Sequence, residues 1–286
     1  MFTPFTLNIK GNITDVARPL VMGIVNITPD SFYAGSRVAS ADAVKARVEK
    51  MVADGADILD VGACSTRPGA EDVAEEEEIE RLGLGLRALR EVAPDIPVSV
   101  DTWRARVAET AVSELGADII NDISGGDLDD AMFETVARLS VPYILMHMRG
   151  TPASMASMTE YADVTADVIS DLSAKLRRLR LLGVSDVIVD PGFGFAKTLA
   201  QNYEMMARLD EFARVLDAPV LVGISRKSMI TKALGITPDN ALNGTTVLNT
   251  LALVRGASVL RVHDVREAAE AVKLYSLSTL SPSVIL

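Results

Sequence analysis

The chain has 286 residues, of which 49% are hydrophobic and 23% charged, and its formal net charge is −11. This composition is typical of a globular domain with a large core. The acidic balance argues against broad binding to nucleic acid or anionic membranes, which depends on clustered Lys and Arg. The length suits one barrel of alternating strands and helices, for which about 250 residues are typical.

Short apolar runs bounded by turn residues predict buried strands at residues 20–26, 58–62, 98–101, 119–122, 143–147, 187–190, 220–223 and 259–262. Helical patterns lie between them at residues 41–54, 74–92, 104–115, 131–139, 162–182, 202–216 and 265–277, with a broken helix in 227–255. Most of the runs lack polar alternation, as parallel strands covered on both faces do. Alternating strands and helices predict a parallel sheet with right-handed crossovers.

Eight such units favour a single α/β domain, a (β/α)8 TIM barrel at residues 20–286. An open doubly wound sheet is the alternative, but its usual G-x-G-x-x-G turn is missing after the first strand. Residues 1–19 are interpreted as a short N-terminal extension, for which a hairpin over the barrel floor is one possible form.

The cysteine and targeting patterns predict a cytoplasmic protein. The single cysteine, Cys64, excludes an internal disulfide and suits a reducing compartment. The first residues lack the pattern of a signal peptide, and no apolar run approaches the roughly 18 residues of a membrane span. With two histidines and one cysteine, a tight zinc site is not expected. The acidic run at residues 71–80 is interpreted as the solvated first turns of a helix.

Polar side chains follow the predicted strands, where the loops of such barrels carry the chemistry. Asp101, Asn121 and Asp190, together with Lys227, suit a heterocycle that presents both N–H donors and carbonyl acceptors, such as a pterin or a purine. A buried carboxylate needs a partner of this kind, because removing it from water without one is costly. The pattern therefore predicts a ligand at the barrel mouth.

A second set of strand-end residues suits a phosphate group. Arg67, Arg261 and His263 suit a phosphate, and His263-Asp264 leads directly into the last helix, whose free N–H groups add to an anion site. Asn26 offers a neutral oxygen, and Mg²⁺ commonly takes one or two protein oxygens and fills its shell from phosphate and water. The set therefore suits a phosphate group, beside which Mg²⁺ could bind at Asn26.

Six sequence blocks in order resemble the dihydropteroate synthase family: N-I-T-P-D-S-F (26–32), S-T-R-P-G (65–69), N-D-I-S-G (121–125), D-P-G-F-G-F (190–195), S-R-K-S-M (225–229) and R-V-H-D-V (261–265). Together they span most of the chain. The resemblance implies a Mg²⁺-dependent transferase, usually a homodimer, that condenses 6-hydroxymethyl-7,8-dihydropterin diphosphate with 4-aminobenzoate. The products are 7,8-dihydropteroate and diphosphate.

The resemblance also implies three sets of site residues. The pterin-binding set is Asp101, Asn121, Ile123, Met146, Asp190, Gly223 and Lys227. The diphosphate-binding set is Asn26, Thr66, Arg67, Arg261 and His263, with Asn26 also a ligand of magnesium. The 4-aminobenzoate pocket, where sulfonamide drugs also bind, is Thr66, Arg67, Pro68, Phe195, Ser225 and Lys227. Asp101, Lys227 and Arg261 form the catalytic set, and no side-chain nucleophile is needed.

Three single positions and one short segment depart from the family pattern. Ala63 and Cys64 stand where the family commonly has Gly and Glu, and Ala196 stands where it has Gly. Residues 33–36 read Y-A-G-S rather than S-D-G-G. These departures leave the detailed roles of the first two loops open, but none removes a residue assigned to the reaction.

Two other functions remain open at this point. A pterin-using methyltransferase would share the barrel and the pterin-holding carboxylates but would not need the S-T-R-P-G and R-V-H-D blocks. A catalytically idle pterin-binding homologue would be expected to lack part of the phosphate set. Among single residues, His147 is either a pterin contact or a structural hydrogen-bonding group, and Cys64 is interpreted as a packed small residue rather than a reactive one.

Overall fold

A computed structural model describes residues 1–27, 37–64 and 73–279. Its strands are β1 (Phe5–Ile9), β2 (Asn12–Val16), β3 (Leu20–Asn26), β4 (Ile58–Gly62), β5 (Val98–Asp101), β6 (Ile119–Asp122), β7 (Tyr143–Met146), β8 (Val187–Asp190), β9 (Leu221–Val222) and β10 (Val259–Val262). Its helices are α1 (Arg37–Ala53), α2 (Glu75–Val92), α3 (Ala105–Ser113), α4 (Met132–Leu139), α5 (Val164–Leu181), α6 (Leu199–Ala207), α7 (Leu209–Leu216), α8 (Ser228–Leu234), α9 (Leu242–Val254) and α10 (Val265–Thr279).

Eight parallel strands form one sheet in the order β8-β7-β6-β5-β4-β3-β10-β9. A parallel bridge between Val189 and Val220 joins the two edges and closes the barrel. The predicted (β/α)8 barrel is therefore confirmed. Because every strand runs in the same direction, all eight carboxyl ends open at one mouth, and this places the polar residues that follow the strands in one region.

The strands are buried because they consist largely of β-branched and other apolar residues with helices on their outer side. All five residues of β4 and all four of β6, β7 and β8 are buried. They join one large hydrophobic core with the inner faces of the helices. Such a core makes the strands a rigid support for side chains at their ends.

The first residues form an antiparallel hairpin, β1 paired with β2, with Phe5 opposite Val16. The amide of Asn8 donates to Asp186 Oδ2 at 3.0 Å, and Leu7 is buried in the core. Since Asp186 immediately precedes β8, the hairpin lies at the amino-terminal end of the barrel and leaves the mouth uncovered. We propose a division into this N-terminal extension, residues 1–19, and a barrel domain, residues 20–286.

Several predicted elements differ in detail from the structure; α1, for example, begins at Arg37 and not at residue 41. β7 ends at Met146, and β9 covers only two of its four predicted residues, because only Leu221 and Val222 pair continuously with β10. The helix predicted at 202–216 is divided into α6 and α7 at Arg208, whose backbone (φ −113°, ψ 21°) departs from helical geometry. The Arg208 guanidinium there binds Asp163 and Glu211. Hydrophobic periodicity continues across such a break, which is why the sequence predicts a single helix.

None of the described helices is long and apolar enough to cross a membrane.

The acidic first turn of α2 corrects the interpretation of the run at 71–80 as wholly solvated. Glu78 is 0% exposed and pairs with Arg104 instead of facing water. Burial, together with Glu78, raises the pKa of the nearby Cys64 thiol to about 12. This protonated thiol suits the interpretation of Cys64 as a packed residue rather than a nucleophile.

Candidate active site

One guanidinium joins three strands at the barrel mouth. Arg261 on β10 donates from Nε to Asp60 Oδ2 on β4 at 2.6 Å and from Nη2 to Asp101 Oδ2 on β5 at 2.8 Å. Burial acts to lower the pKa of Arg261, but the two carboxylates raise it above its ordinary value. Arg261 therefore remains a fixed positive charge in a site largely removed from water.

Asp60 is a residue of this site that the sequence reasoning missed. It lies in the middle of β4 and is 0% exposed, and its Oδ2 also accepts a hydrogen bond from Asn121 Nδ2 at 3.1 Å. The available signal was a carboxylate inside the apolar run I-L-D-V-G, since a charged residue is rarely fully buried without a partner. Only the closed barrel brings its partners, from β6 and β10, to it.

Two carboxylates at the mouth have raised pKa values. Burial raises the pKa of Asp101 to about 7, while Arg261 lowers it and Asp60 raises it further. Burial also raises the pKa of Asp190 against the opposing effect of Lys227. The amide of Gly192 donates to Asp190 Oδ1 at 2.8 Å and orients that carboxyl group. Perturbed carboxyl groups in a cleft are typical of a functional site.

Lys227 links the loops that follow β8 and β9. Its Nζ donates to the carbonyl oxygen of Phe193 at 2.7 Å and lies 4.6 Å from the centre of the Phe195 ring. Burial lowers the pKa of Lys227 to about 8, against the opposing effect of Asp190. A Cβ atom at Gly223 would lie 3.8 Å from Lys227 Nζ and 3.8 Å from Arg261 Cβ, so the bare backbone there adjoins both cations.

A small apolar cluster lies apart from the main core. Ile123, Met146 and Ala196 are buried in it, together with Met148 and Met155. The Phe195 ring, which neighbours Lys227, packs against the same cluster. The cluster offers an apolar wall next to the polar residues, as a site for a flat ring requires.

His263 and Ser225 meet where the last strand leads into α10. Ser225 Oγ lies 3.1 Å from His263 Nδ1 and accepts from the His263 backbone N–H at 3.2 Å. Burial and the positive charge of Arg261 lower the pKa of His263 to about 4, so this imidazole is neutral at pH 7. His263 lies two residues before Val265, the first residue of α10, where backbone N–H groups suit an anion.

The remaining predicted site residues are only partly described. Asn26 is exposed at the end of β3, opposite Gly62 of β4 in the register, and Gly62 in turn is opposite Asp101 of β5. Thr66, Arg67 and Pro68 lie outside the described residues, as do residues 33–36 of the first loop. No group of three or more His, Cys, Asp or Glu residues that could hold a metal ion occurs within the described ranges.

His147, which directly follows β7, contacts the loop that follows β8. Lys197 Nζ lies 3.0 Å from His147 Nδ1 and donates to the carbonyl oxygens of Gly192 and Phe195, both at 3.0 Å. Burial and the charge of Lys197 lower the pKa of His147 to about 2, so the imidazole stays neutral. Of the two interpretations of His147, this contact favours the structural one.

Gly192 is required by both its backbone and its surroundings, and Gly192→Ala should destabilise the protein by about 3 kcal/mol or more. Its φ is +72°, and a Cβ there would lie 2.0 Å from the carbonyl oxygen of His147. Gly183→Ala is the matched control, because φ is +87° but no described atom lies within 4 Å of the added Cβ. The control should cost only about 1–2 kcal/mol, the strain of a left-handed residue. Urea unfolding measures both, and equal losses would contradict the steric argument.

The chain is similar to known proteins over most of its length. Residues 22–263 match the family of pterin binding enzymes. The dihydropteroate synthase of Clostridium beijerinckii is 42% identical over 260 residues, covering 90% of this chain and 93% of that protein. Yersinia pestis dihydropteroate synthase in a sulfonamide drug complex has a TM-score of 0.88 and 36% identity, covering 97% of this chain and 100% of that one. The Xanthomonas albilineans dihydropteroate synthase with 4-aminobenzoic acid has a TM-score of 0.88 and 37% identity, covering 98% and 100%.

The barrel, the residues at its mouth and the family match together define a pterin-binding enzyme of the (β/α)8 class. More particularly, the chain belongs to the dihydropteroate synthase family, transferases of folate synthesis. The family resemblance indicated by the six sequence blocks is thereby confirmed.

Proposed function

We propose that the chain condenses 6-hydroxymethyl-7,8-dihydropterin diphosphate with 4-aminobenzoate, giving 7,8-dihydropteroate and diphosphate. The observation that carries this proposal is the contact of Arg261 with Asp101 at the barrel mouth. It joins a cation suited to a leaving diphosphate to a carboxylate suited to a developing positive charge. Lys227 and Asp190 interact electrostatically beside this pair.

The polar residues of the mouth fit the pterin. Asp101, Asp190 and Asn121 offer acceptors to the N–H groups of the ring, and Lys227 offers a donor to its carbonyl or ring nitrogen. Ile123 and Met146 provide the apolar wall, and Gly223 leaves room for the ring beside the two cations. The NH2 group of Asn121 donates a hydrogen bond to Asp60, which leaves the side-chain carbonyl oxygen of Asn121 for the ligand.

A separate set of residues would bind the diphosphate. Arg261 and His263 lie at the entry to α10, and Arg67 and Thr66 of the second loop complete the assigned set. Asn26 is exposed, and its side chain carries an amide oxygen of the kind that fits Mg²⁺, which commonly takes only one or two ligands from the protein. When bound, Mg²⁺ would neutralise part of the diphosphate charge.

The 4-aminobenzoate would bind between the loops that follow β4, β8 and β9. Phe195 offers a ring face, and Lys227, held over that ring, offers positive charge to the carboxylate. Ser225 adds a hydroxyl group, and Thr66, Arg67 and Pro68 are the assigned residues of the second loop. The same pocket would bind sulfonamides, which resemble the arylamine.

The reaction needs charge stabilisation rather than a nucleophilic side chain. The bond between the pterin methylene carbon and the diphosphate oxygen breaks, and Arg261 stabilises the negative charge that develops on the leaving group. The carbocation left on the methylene is conjugated with the ring and lies within the field of the Asp101 carboxylate. The amine of 4-aminobenzoate attacks that carbon, the C–N bond forms, and the amine loses one proton to solvent.

A direct assay tests the proposed function. Purified protein with the pterin diphosphate, 4-aminobenzoate and Mg²⁺ should release diphosphate and form dihydropteroate in equal amounts. EDTA should stop the reaction, and added Mg²⁺ should restore it. Tight pterin binding without turnover would contradict the proposal and support the idle pterin-binding homologue instead.

We expect a bell-shaped dependence of kcat/KM on pH with its maximum between about 7 and 8. Activity should rise as Asp101 loses its proton near pH 7, and fall as Lys227 loses its proton near pH 8. The groups that face these two are Arg261, Asp60, Glu78, Asp122 and Asp190. The rates are measured with substrate well below KM, so that they report the free enzyme. A profile flat from pH 6 to 9 would contradict these assignments.

We propose that the protein is a homodimer whose interface includes α9 and α10. Val247, Leu251 and Val254 recur along α9 with exposures of 50%, 45% and 60%, and Leu274 and Leu277 on α10 are 68% and 55% exposed. Exposed apolar residues on two neighbouring helices are typical of a protein interface. Light scattering should give the mass of a dimer for the wild type and of a monomer for V247E/L251E. The control L181E, on α5, should remain dimeric, and a monomeric wild type would contradict the proposal.

We also infer a cytoplasmic location and small-molecule partners only. The single cysteine suits a reducing compartment, and the net charge of −11 disfavours nucleic acid and anionic membranes. Cell fractionation tests the location, and enzyme activity confined to a membrane or exported fraction would contradict it.

A further inference from the structure

Asp60 lies inside the barrel, below the residues assigned to the substrates. It is 0% exposed, and its Oδ2 accepts from two side chains at once, Arg261 Nε at 2.6 Å and Asn121 Nδ2 at 3.1 Å. Its Oδ1 has no hydrogen-bond partner among the described residues, and neither has the hydroxyl of Ser99, its register partner on β5. Asp60 Oδ2 therefore holds Arg261 and Asn121, the two side chains that would contact the substrates.

For Arg261, the bond to Asp60 determines the direction of the guanidinium. Bonds at Nε and Nη2 to carboxylates on different strands fix both the position and the plane of the group. A guanidinium held only through Asp101 could rotate about its stem. Asp60 thus supplies the second of two anchors.

For Asn121, the bond to Asp60 determines which end of the amide faces the ligand. A carboxylate accepts hydrogen bonds and cannot donate one, so the Asn121 NH2 group points to Asp60. The carbonyl oxygen is then the end available to the substrate, as an acceptor. The opposite orientation would place two oxygens against each other.

We propose that Asp60 is a positioning residue that holds Arg261 and Asn121 in their working orientations, and so links the diphosphate-binding and pterin-binding halves of the site. This inference rests on the proposed function, which assigns Arg261 to the diphosphate and Asn121 to the pterin. Asp60 itself is 0% exposed and is assigned to neither substrate. A fully buried carboxylate is costly unless donors compensate it, and both of its donors are side chains of the site.

Two variants separate hydrogen bonding from charge. Asp60→Asn keeps one oxygen that can accept from both donors and directs its NH2 group to the position of the partnerless Oδ1. Asp60→Ala removes the acceptor. We expect D60N to keep kcat/KM within about tenfold of wild type, and D60A to lose about 100-fold, the effect of a misplaced catalytic group.

Binding of two probes provides a readout that a merely structural residue would not change. The probes are 6-hydroxymethylpterin for one half of the site and inorganic diphosphate with Mg²⁺ for the other, each titrated by calorimetry. N121A should weaken only the pterin, and R261A only the diphosphate. D60A should weaken both by about tenfold, the loss expected for one misaligned hydrogen bond in each half. Where D60A does not fold, D60S, whose hydroxyl is too short to span both donors, takes its place.

Three results would overturn the inference: D60A with both probe affinities within threefold of wild type, D60A impaired for one probe only, or D60N as inactive as D60A. The last result would assign the role of Asp60 to its charge. An inactive wild type would contradict the proposed function, whereas the probe titrations would still test the positioning by Asp60.

Discussion

Arg261→Ala should lower kcat/KM by about 10³-fold, while the barrel stays folded. The variant removes the side chain that bridges Asp60 and Asp101 at the mouth. It would also remove the charge that stabilises the departing diphosphate. Because it leaves Asp60 buried without its counter-charge, we expect a stability loss of about 3 kcal/mol, so rates are measured well below the Tm.

Arg90→Ala is the matched control for this experiment. Arg90 donates to Asp118 Oδ2 at 2.9 Å, as Arg261 does to Asp101, but Asp118 immediately precedes β6 and lies at the opposite end of the barrel. The control should lose stability and keep kcat/KM within about threefold, as expected for a residue remote from the chemistry. Arg261→Lys, which keeps the charge but not the two-point contact, should fall between wild type and R261A. Near-normal turnover of R261A would contradict the assignment of Arg261 to the diphosphate.

Asp101→Asn should lower kcat by about 10²- to 10³-fold with little change in stability, because the replacement keeps the shape and an oxygen for Arg261. The substitution removes the negative charge of Asp101, to which stabilisation of the carbocation is assigned. The variant should also lose the rising limb of the pH profile near 7, because that limb is assigned to this carboxyl group. Stopped-flow measurement of a single turnover separates the chemical step from product release.

Asp118→Asn is the control for Asp101→Asn. Asp118 is 4% exposed and accepts from Arg90 and from the backbone N–H of Val98, so its loss tests burial and ion pairing without touching the mouth. We expect lower stability, unchanged kcat and an intact rising limb. An Asp101→Asn variant that kept the wild-type kcat, or lost activity only in proportion to its unfolded fraction, would be evidence against electrostatic stabilisation by Asp101.

The sequence could predict much of the site because a barrel turns a local pattern into a spatial one. Asp101, Asn121 and Asp190 lie at or next to the carboxyl ends of their strands, and parallel strands bring such ends to one rim. Apolar runs therefore located both the strands and their polar neighbours. The family blocks identified the substrates and the reaction, whereas the strand-end residues alone indicated only a heterocycle and an anion.

Side-chain partners across the barrel could not be predicted in the same way. Asp60 lies inside a strand and meets residues 61 and 201 positions away in the chain, Asn121 and Arg261, and no local pattern contains such a contact. Glu78 shows the same limit, since its acidic neighbours indicate a solvated turn whereas Arg104 holds it buried.

By itself the sequence determined the alternation of strands and helices and located the polar residues at the strand ends, because hydrophobic periodicity and strand ends are local properties of the chain. It favoured the closed barrel over an open sheet. Only the tertiary structure decided how those residues are oriented and charged. Closure of the barrel buries Asp60 between Arg261 and Asn121, and burial raises the pKa of Asp101 and lowers that of Lys227. These effects depend on desolvation and on distances between strands far apart in sequence, which are set when the barrel closes.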